Sequence, residues 1–178
     1  KAVSSQDLKQ GATMPTMTLL GWFHTIMGVA ALLLAVVAIW RHGFIRAIDK
    51  EGAAYLLVTI IVAASALGIY NQGGFGIAHI LALLTLGAAF GGFLLERFQL
   101  FGKASPYFQT MAYSATILFH MIPAITDFLR RLPVGDPFID SFDSPILLSF
   151  HVGFLGLYVV GVVVQMSRLR SQSSQMLR

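Results

Sequence analysis

Residues 17–40, MTLLGWFHTIMGVAALLLAVVAIW, run for 24 positions without an Asp, Glu, Lys or Arg. As a helix rising ~1.5 Å per residue, such a run is about 36 Å long, enough to cross the ~30 Å hydrocarbon layer of a bilayer. Further apolar runs cover residues 53–70, 75–95, 106–129 and 145–166. Inside hydrocarbon a backbone must satisfy its own N–H and C=O groups. A membrane strand would alternate polar and apolar residues over about ten positions, whereas unbroken apolar runs do so by coiling into helices. The expected fold is therefore all-α, a bundle of five transmembrane helices. Composition points the same way: 56% of the residues are hydrophobic and 11% charged, against roughly 25% charged in soluble domains, and the mean hydropathy is +0.75.

Punctuation between the runs sets the connections. Asn71-Gln72-Gly73-Gly74 reads as a tight turn that makes the second and third helices antiparallel neighbours. Ser105-Pro106 reads as the N-cap and first turn of the fourth helix, and Pro123 is expected to kink that helix near its end. A polar loop covers residues 130–144. The chain thus divides into a polar N-terminal segment over 1–15, a transmembrane domain over 16–167 and a flexible Ser/Gln/Arg tail over 168–178. The polar start lacks the basic-then-apolar order of a signal peptide, so the first run is expected to stay in the protein.

The net charge of +4 does not indicate nucleic acid, because no block of five basic residues exists and the charges sit at helix ends. It reads instead as a topology signal. Arg41, Arg46, Lys50, Arg97, Lys103, Arg168, Arg170 and Arg178 fall on one side of a five-span arrangement, and Lys1, Lys9, Arg130 and Arg131 on the other. The more basic side is expected in the cytoplasm, leaving the N-terminus outside and the C-terminus inside. Trp22, Tyr70 and Phe75 near the outer boundary, with Trp40, Phe98 and Tyr107 near the inner one, read as interfacial belts. The lack of cysteine excludes disulfides, thiolate ligands and thiol catalysis.

Four of the five histidines lie inside apolar runs, on four different helices: His24, His79, His120 and His151. Counted at ~1.5 Å per residue from the outer helix ends, they fall at depths of ~10, ~6, ~14 and ~9 Å. An imidazole there has lost water and needs a partner, either a carbonyl or hydroxyl on a neighbouring helix or a shared centre. Asp127 lies seven residues after His120 on the same helix face, where it can orient a ring, bind a metal or relay a proton; it can also pair with Arg130 or Arg131. Ser114, Thr116 and Ser149 are available hydroxyls that in apolar helices bond back to their own backbone. Gly87 and Gly91 form a small-xxx-small pair suited to helix packing. No phosphate-cradling loop, zinc-protease motif or nucleophile elbow is present.

The segments GWFHTIMG, NQGGFGIAHILALLTLG, YSATILFHMIP and SFHVGFLGLY resemble those of small, uncharacterised polytopic inner-membrane proteins of bacteria, which implies an inner-membrane location but no activity. In architecture alone the chain is similar to small membrane b-type cytochromes, although no helix carries the two histidines, about four turns apart, that stacked haems use. The leading expectation is a haem or metal centre in the outer half of the bundle, with ligands from His24, His79, His120 and His151, and Asp127 as a further metal ligand. Haem b would take two axial imidazoles and transfer electrons with a quinone or another membrane subunit, whereas copper, iron or zinc would take three or four ligands. The alternatives are a non-enzymatic membrane subunit or proton-handling protein whose histidines bridge helices, and a zinc hydrolase, which lacks a second carboxylate within the spans to act as base.

Overall fold

The computed structural model describes residues 17–70 and 74–175. Among them it holds five α-helices and no strand: α1 Leu19–His42, α2 Lys50–Ala66, α3 Ile77–Phe98, α4 Ser105–Arg131 and α5 Pro145–Gln175, with a 3-10 turn at Gly102–Ala104 before α4. The N-terminal segment, the end of the tail and part of the Asn71–Gly74 turn lie outside the described residues.

Local chemistry sets the helix ends. Thr18 caps α1 by accepting the Gly21 N–H on its hydroxyl at 3.1 Å, and α1 stops at Gly43, whose φ of 84° is left-handed and whose N–H returns to the Ile39 carbonyl, a turn suited to a residue without a Cβ. The α4 helix begins at Ser105 itself, one residue earlier than a capping role implies; the Ser105 hydroxyl instead accepts the Phe101 N–H at 2.9 Å. It continues without interruption through Pro123 to Arg131. The fifth helix runs past the apolar segment to Gln175, because the Ser, Gln, Arg and Leu residues after Met166 include nothing that breaks a helix.

Four helices are long and apolar enough to cross a membrane: α1, α3, α4 with its leading turn, and α5. The second has 17 residues, about 26 Å of helix, because the chain turns at Leu67 and Gly68 rather than continuing to Tyr70. It is nevertheless a central element, burying Gly52, Tyr55, Leu56, Thr59, Val62 and Ala63.

Neighbouring helices alternate in direction. The start of α1 meets the end of α2 through His24 and Ser65, and the end of α1 meets the start of α2 through His42 and Glu51. The pairs α1–α2, α2–α3 and α3–α4 pack closely, and a thinner α1–α4 contact completes a ring of four. Thus α2 and α4 lie across the diagonal and run parallel, meeting through long side chains. The fifth helix packs on the outside of α4. Small residues allow the close approaches: Ala31, Ala35 and Ala38 share one fully buried face of α1, and a Cβ on Gly52 would fall 2.0 Å from the Arg46 carbonyl oxygen.

Large apolar side chains face outward along the helices, including Leu33, Phe90 and Leu157, each more than 60% exposed. Such a surface is untenable for a monomer in water and is the one lipid requires. Trp22 and Trp40 stand outward near opposite ends of α1.

Candidate functional site

The facing sides of the two diagonal helices carry several polar side chains. On α2, Tyr55, Thr59, Val62 and Ser65 recur every three or four residues; on α4, Gln109, Tyr113, Thr116, His120 and Asp127 do the same with one turn skipped. Each set makes one helical stripe. Tyr55, Thr59, Tyr113 and Thr116 have no exposed surface, and His120 retains 8%.

These groups are hydrogen-bonded across the diagonal. The His120 Nε2 lies 3.2 Å from the Thr59 hydroxyl, the Tyr55 and Thr116 hydroxyls are 2.5 Å apart, and Thr116 donates to the Tyr113 carbonyl at 2.6 Å. Close by, the His24 Nδ1 lies 3.1 Å from the Val62 carbonyl and 3.0 Å from the Ser65 hydroxyl, which itself donates to the same carbonyl at 2.8 Å. A carbonyl can only accept, so His24 carries its proton on Nδ1 and leaves Nε2 bare. His24 is within electrostatic range of both His120 and Asp127.

The other two histidines within helices have separate partners. His151 on α5 bonds the Thr126 hydroxyl through Nε2 at 3.3 Å; that hydroxyl is committed to the Ile122 carbonyl at 2.7 Å, so His151 is the donor. His79 caps its own helix, its Nδ1 accepting the Gly76 N–H at 3.1 Å, which puts the proton on Nε2. Its ring lies between those of Tyr70 and Phe75, 4.7 and 5.0 Å away, and Nε2 has no partner among the described residues. Thus His24 and His120 reach the same stripe of α2 from different helices, His151 reaches α4 one residue before Asp127, and His79 stands against two aromatic rings at the start of α3. Asp127 is exposed and pairs with Arg131 at 3.7 Å. Among the described residues, no three His, Asp or Glu side chains form a group able to hold a metal ion.

At the opposite end of the bundle, Glu96 closes α3. Its carboxylate accepts the Ala47 N–H at 2.8 Å, the Ile48 N–H at 3.2 Å, the Gln109 amide at 3.3 Å and the Tyr113 hydroxyl at 3.0 Å. Four donors on one carboxylate tie the α1–α2 hairpin to α3 and α4. Within that hairpin Arg46 holds Asp49 in a two-pronged bond at 2.8 and 2.9 Å. The bond keeps the Asp49 carboxyl below the usual carboxylate range and raises the Arg46 guanidinium. Glu51 takes His42 at 3.1 Å together with Arg41.

Sequence reasoning located the histidines but missed Tyr55, Thr59, Ser65, Glu96, Gln109 and Tyr113. The available signal was the three-or-four spacing of polar residues along α4. Of the hydroxyls expected to bond to their own backbone, Ser149 does so, to the Pro145 carbonyl at 2.8 Å. Thr116 does so and also meets Tyr55, while Ser114 instead crosses to Gln165 on α5 at 3.0 Å. No protein-family model, curated protein or solved structure matches the chain.

Proposed function

We propose that this chain is a non-enzymatic membrane protein that takes up and releases a proton at the His24–His120 pair, with Asp127 as the carboxylate through which the proton arrives. The carrying observation is that imidazoles from two helices meet one stripe of α2, His24 at Val62 and Ser65 and His120 at Thr59, each with one nitrogen engaged and the other without a hydrogen-bond partner among the described residues, and that His24 is also within electrostatic range of Asp127. Buried imidazole is the side chain suited to exchanging a proton near neutral pH. The groups that hydrogen-bond the pair are Thr59, the Val62 carbonyl and Ser65 from α2, and Asp127, near His24, is itself paired with Arg131 on α4. The concentration of Arg and Lys at the other end of the bundle supports a bacterial inner-membrane orientation with Asp127 outside.

The test is proton uptake by the full chain in lipid nanodiscs, followed by histidine infrared bands across pH. His24→Gln and His120→Gln should each remove the uptake seen in the wild type. Equal uptake in all three proteins would end this reading.

A haem or metal centre is the second reading, favoured by His24. Donation of Nδ1–H to a backbone carbonyl, with Nε2 bare, is the arrangement of a metal-ligating histidine. Haem b would give a Soret band that shifts with dithionite and would imply a quinone or membrane-subunit redox partner; copper, iron or zinc would appear in elemental analysis. Purified protein with none of these would exclude the second reading and leave the first intact.

A further inference from the structure

The start of α3 is fastened by a side chain that can do so in only one charge state. Its cap residue, Gly76, has no side chain with which to hold the free N–H groups of the first turn. The bond runs the other way, from the Gly76 N–H to the His79 Nδ1 at 3.1 Å, as it does where Glu or Gln stands three residues into a helix and reaches back to the cap. A backbone N–H only donates, so Nδ1 must be bare and the single ring proton sits on Nε2. The side chain is 3% exposed, and Nε2 has no partner among the described residues. Nor, among those residues, does the Gly76 N–H have another acceptor.

We infer that His79 is a pH-sensitive clasp, which holds the first turn of α3 closed while the ring is neutral and releases it when the ring is protonated. A second proton has one place to go, Nδ1, where two N–H groups would then face each other across the 3.1 Å contact. The charged ring would also stand at the positive end of the helix macrodipole. Relief requires the imidazole to swing off Tyr70 and Phe75, whose rings lie 4.7 and 5.0 Å away, or the backbone at Gly76 to turn aside; either opens the turn. The ionisable groups at this end of the neighbouring elements are Tyr70 after α2, His24 on α1, and His120, Asp127, Arg130 and Arg131 on α4. Asp127 pairs with Arg131, Arg130 lies over the Phe142 ring, and among the described residues no carboxylate is bonded to His79 to keep a charged ring in place. The clasp uses neither His24 nor His120 and stands apart from the proton-handling reading.

Nitrogen NMR on the full chain in nanodiscs, with ¹⁵N-labelled histidine and glycine, reads the ring and the Gly76 amide in one titration; His79→Gln identifies the ring signal. While the ring is neutral, the wild type should show Nε2 protonated, Nδ1 bare and the Gly76 amide protected from hydrogen exchange. As the ring takes its second proton, that protection, corrected for the intrinsic effect of pH, should fall about fivefold, the worth of a helix cap. His79→Gln can accept the same N–H but cannot titrate, so its Gly76 protection should hold across the range. His79→Leu should show the released level at every pH. Protection that survives protonation of the ring, a neutral ring with its proton on Nδ1, or a ring still neutral at about pH 4, well below the usual imidazole value, would each overturn the inference.

Discussion

Gly92 on α3 and Tyr113 on α4 fit so closely that a Cβ at position 92 would lie 2.4 Å from Cε1 and 2.6 Å from Cδ1 of the tyrosine ring. The glycine makes room for a fully buried ring whose hydroxyl reaches Glu96 at 3.0 Å. Gly92→Ala should displace the ring and cost roughly 1–3 kcal/mol, as overpacking does. Tyr113→Phe keeps the ring but leaves the carboxylate one donor short, a loss of about 1.5–3 kcal/mol. Thermal unfolding in one detergent, followed by circular dichroism, compares the two. Since both changes remove the same bond, their combination should fall short of the sum; strict additivity would show that the ring stays in place when Gly92 is replaced.

Glu96 should matter more than its single position implies. Glu96→Ala leaves the Ala47 and Ile48 N–H groups, the Gln109 amide and the Tyr113 hydroxyl without their shared acceptor, and each donor that stays out of water without an acceptor costs about 1–3 kcal/mol. Glu96→Gln retains one carbonyl oxygen and should be intermediate. Hydrogen exchange at the Ala47 and Ile48 amides reads the effect directly. Unchanged protection in Glu96→Ala would mean the hairpin is held by its other contacts.

The helical bundle is legible from apolar runs alone, because in lipid a backbone has few choices and length decides what spans. The shortness of α2 was not legible: residues 67–70 are as apolar as those before them, and only the turn at Leu67–Gly68 ends the helix. That His24, His79, His120 and His151 lie within helices was readable for the same reason that spans were. Partners were not, since pairing depends on which face each helix turns inward. Thr59 and Tyr55 look like ordinary helix residues until α4 is laid diagonally opposite, and Glu96 looks like the end of a span until the 43–49 hairpin folds over it.

The hairpin's acid sensitivity follows from Asp49. Its carboxyl is held below the usual range chiefly by the hydrogen bond from Arg46, with His42 adding a weaker pull. A depressed carboxyl contributes stability that is complete above its unfolded value of about 3.9 and is lost as the pH falls through the lower folded value. The melting difference between wild type and Asp49→Asn should therefore stay constant from neutral pH to about 5 and shrink below about 4. Its size should be that of a solvent-facing pair, about 0.2–1 kcal/mol. A difference that vanished already near pH 6 would assign the effect to His42 instead.

The fifth helix is anchored differently from the rest. It packs on α4, with most of its length facing outward, and its buried cross-link is the Ser114 hydroxyl donating to the Gln165 side-chain oxygen at 3.0 Å, both residues only 7% exposed. In lipid such bonds average about 0.6 kcal/mol in double-mutant cycles and reach about 1.7, because a helix separated within the membrane finds other partners. Ser114→Ala, Gln165→Leu and their combination should yield a coupling in that range in a detergent unfolding cycle, with the fold retained. Gln165→Leu alone should cost little, since it replaces an amide by a side chain suited to its apolar neighbours. A coupling well above about 2 kcal/mol would show that this bond, rather than apolar packing on α4, keeps α5 in the bundle.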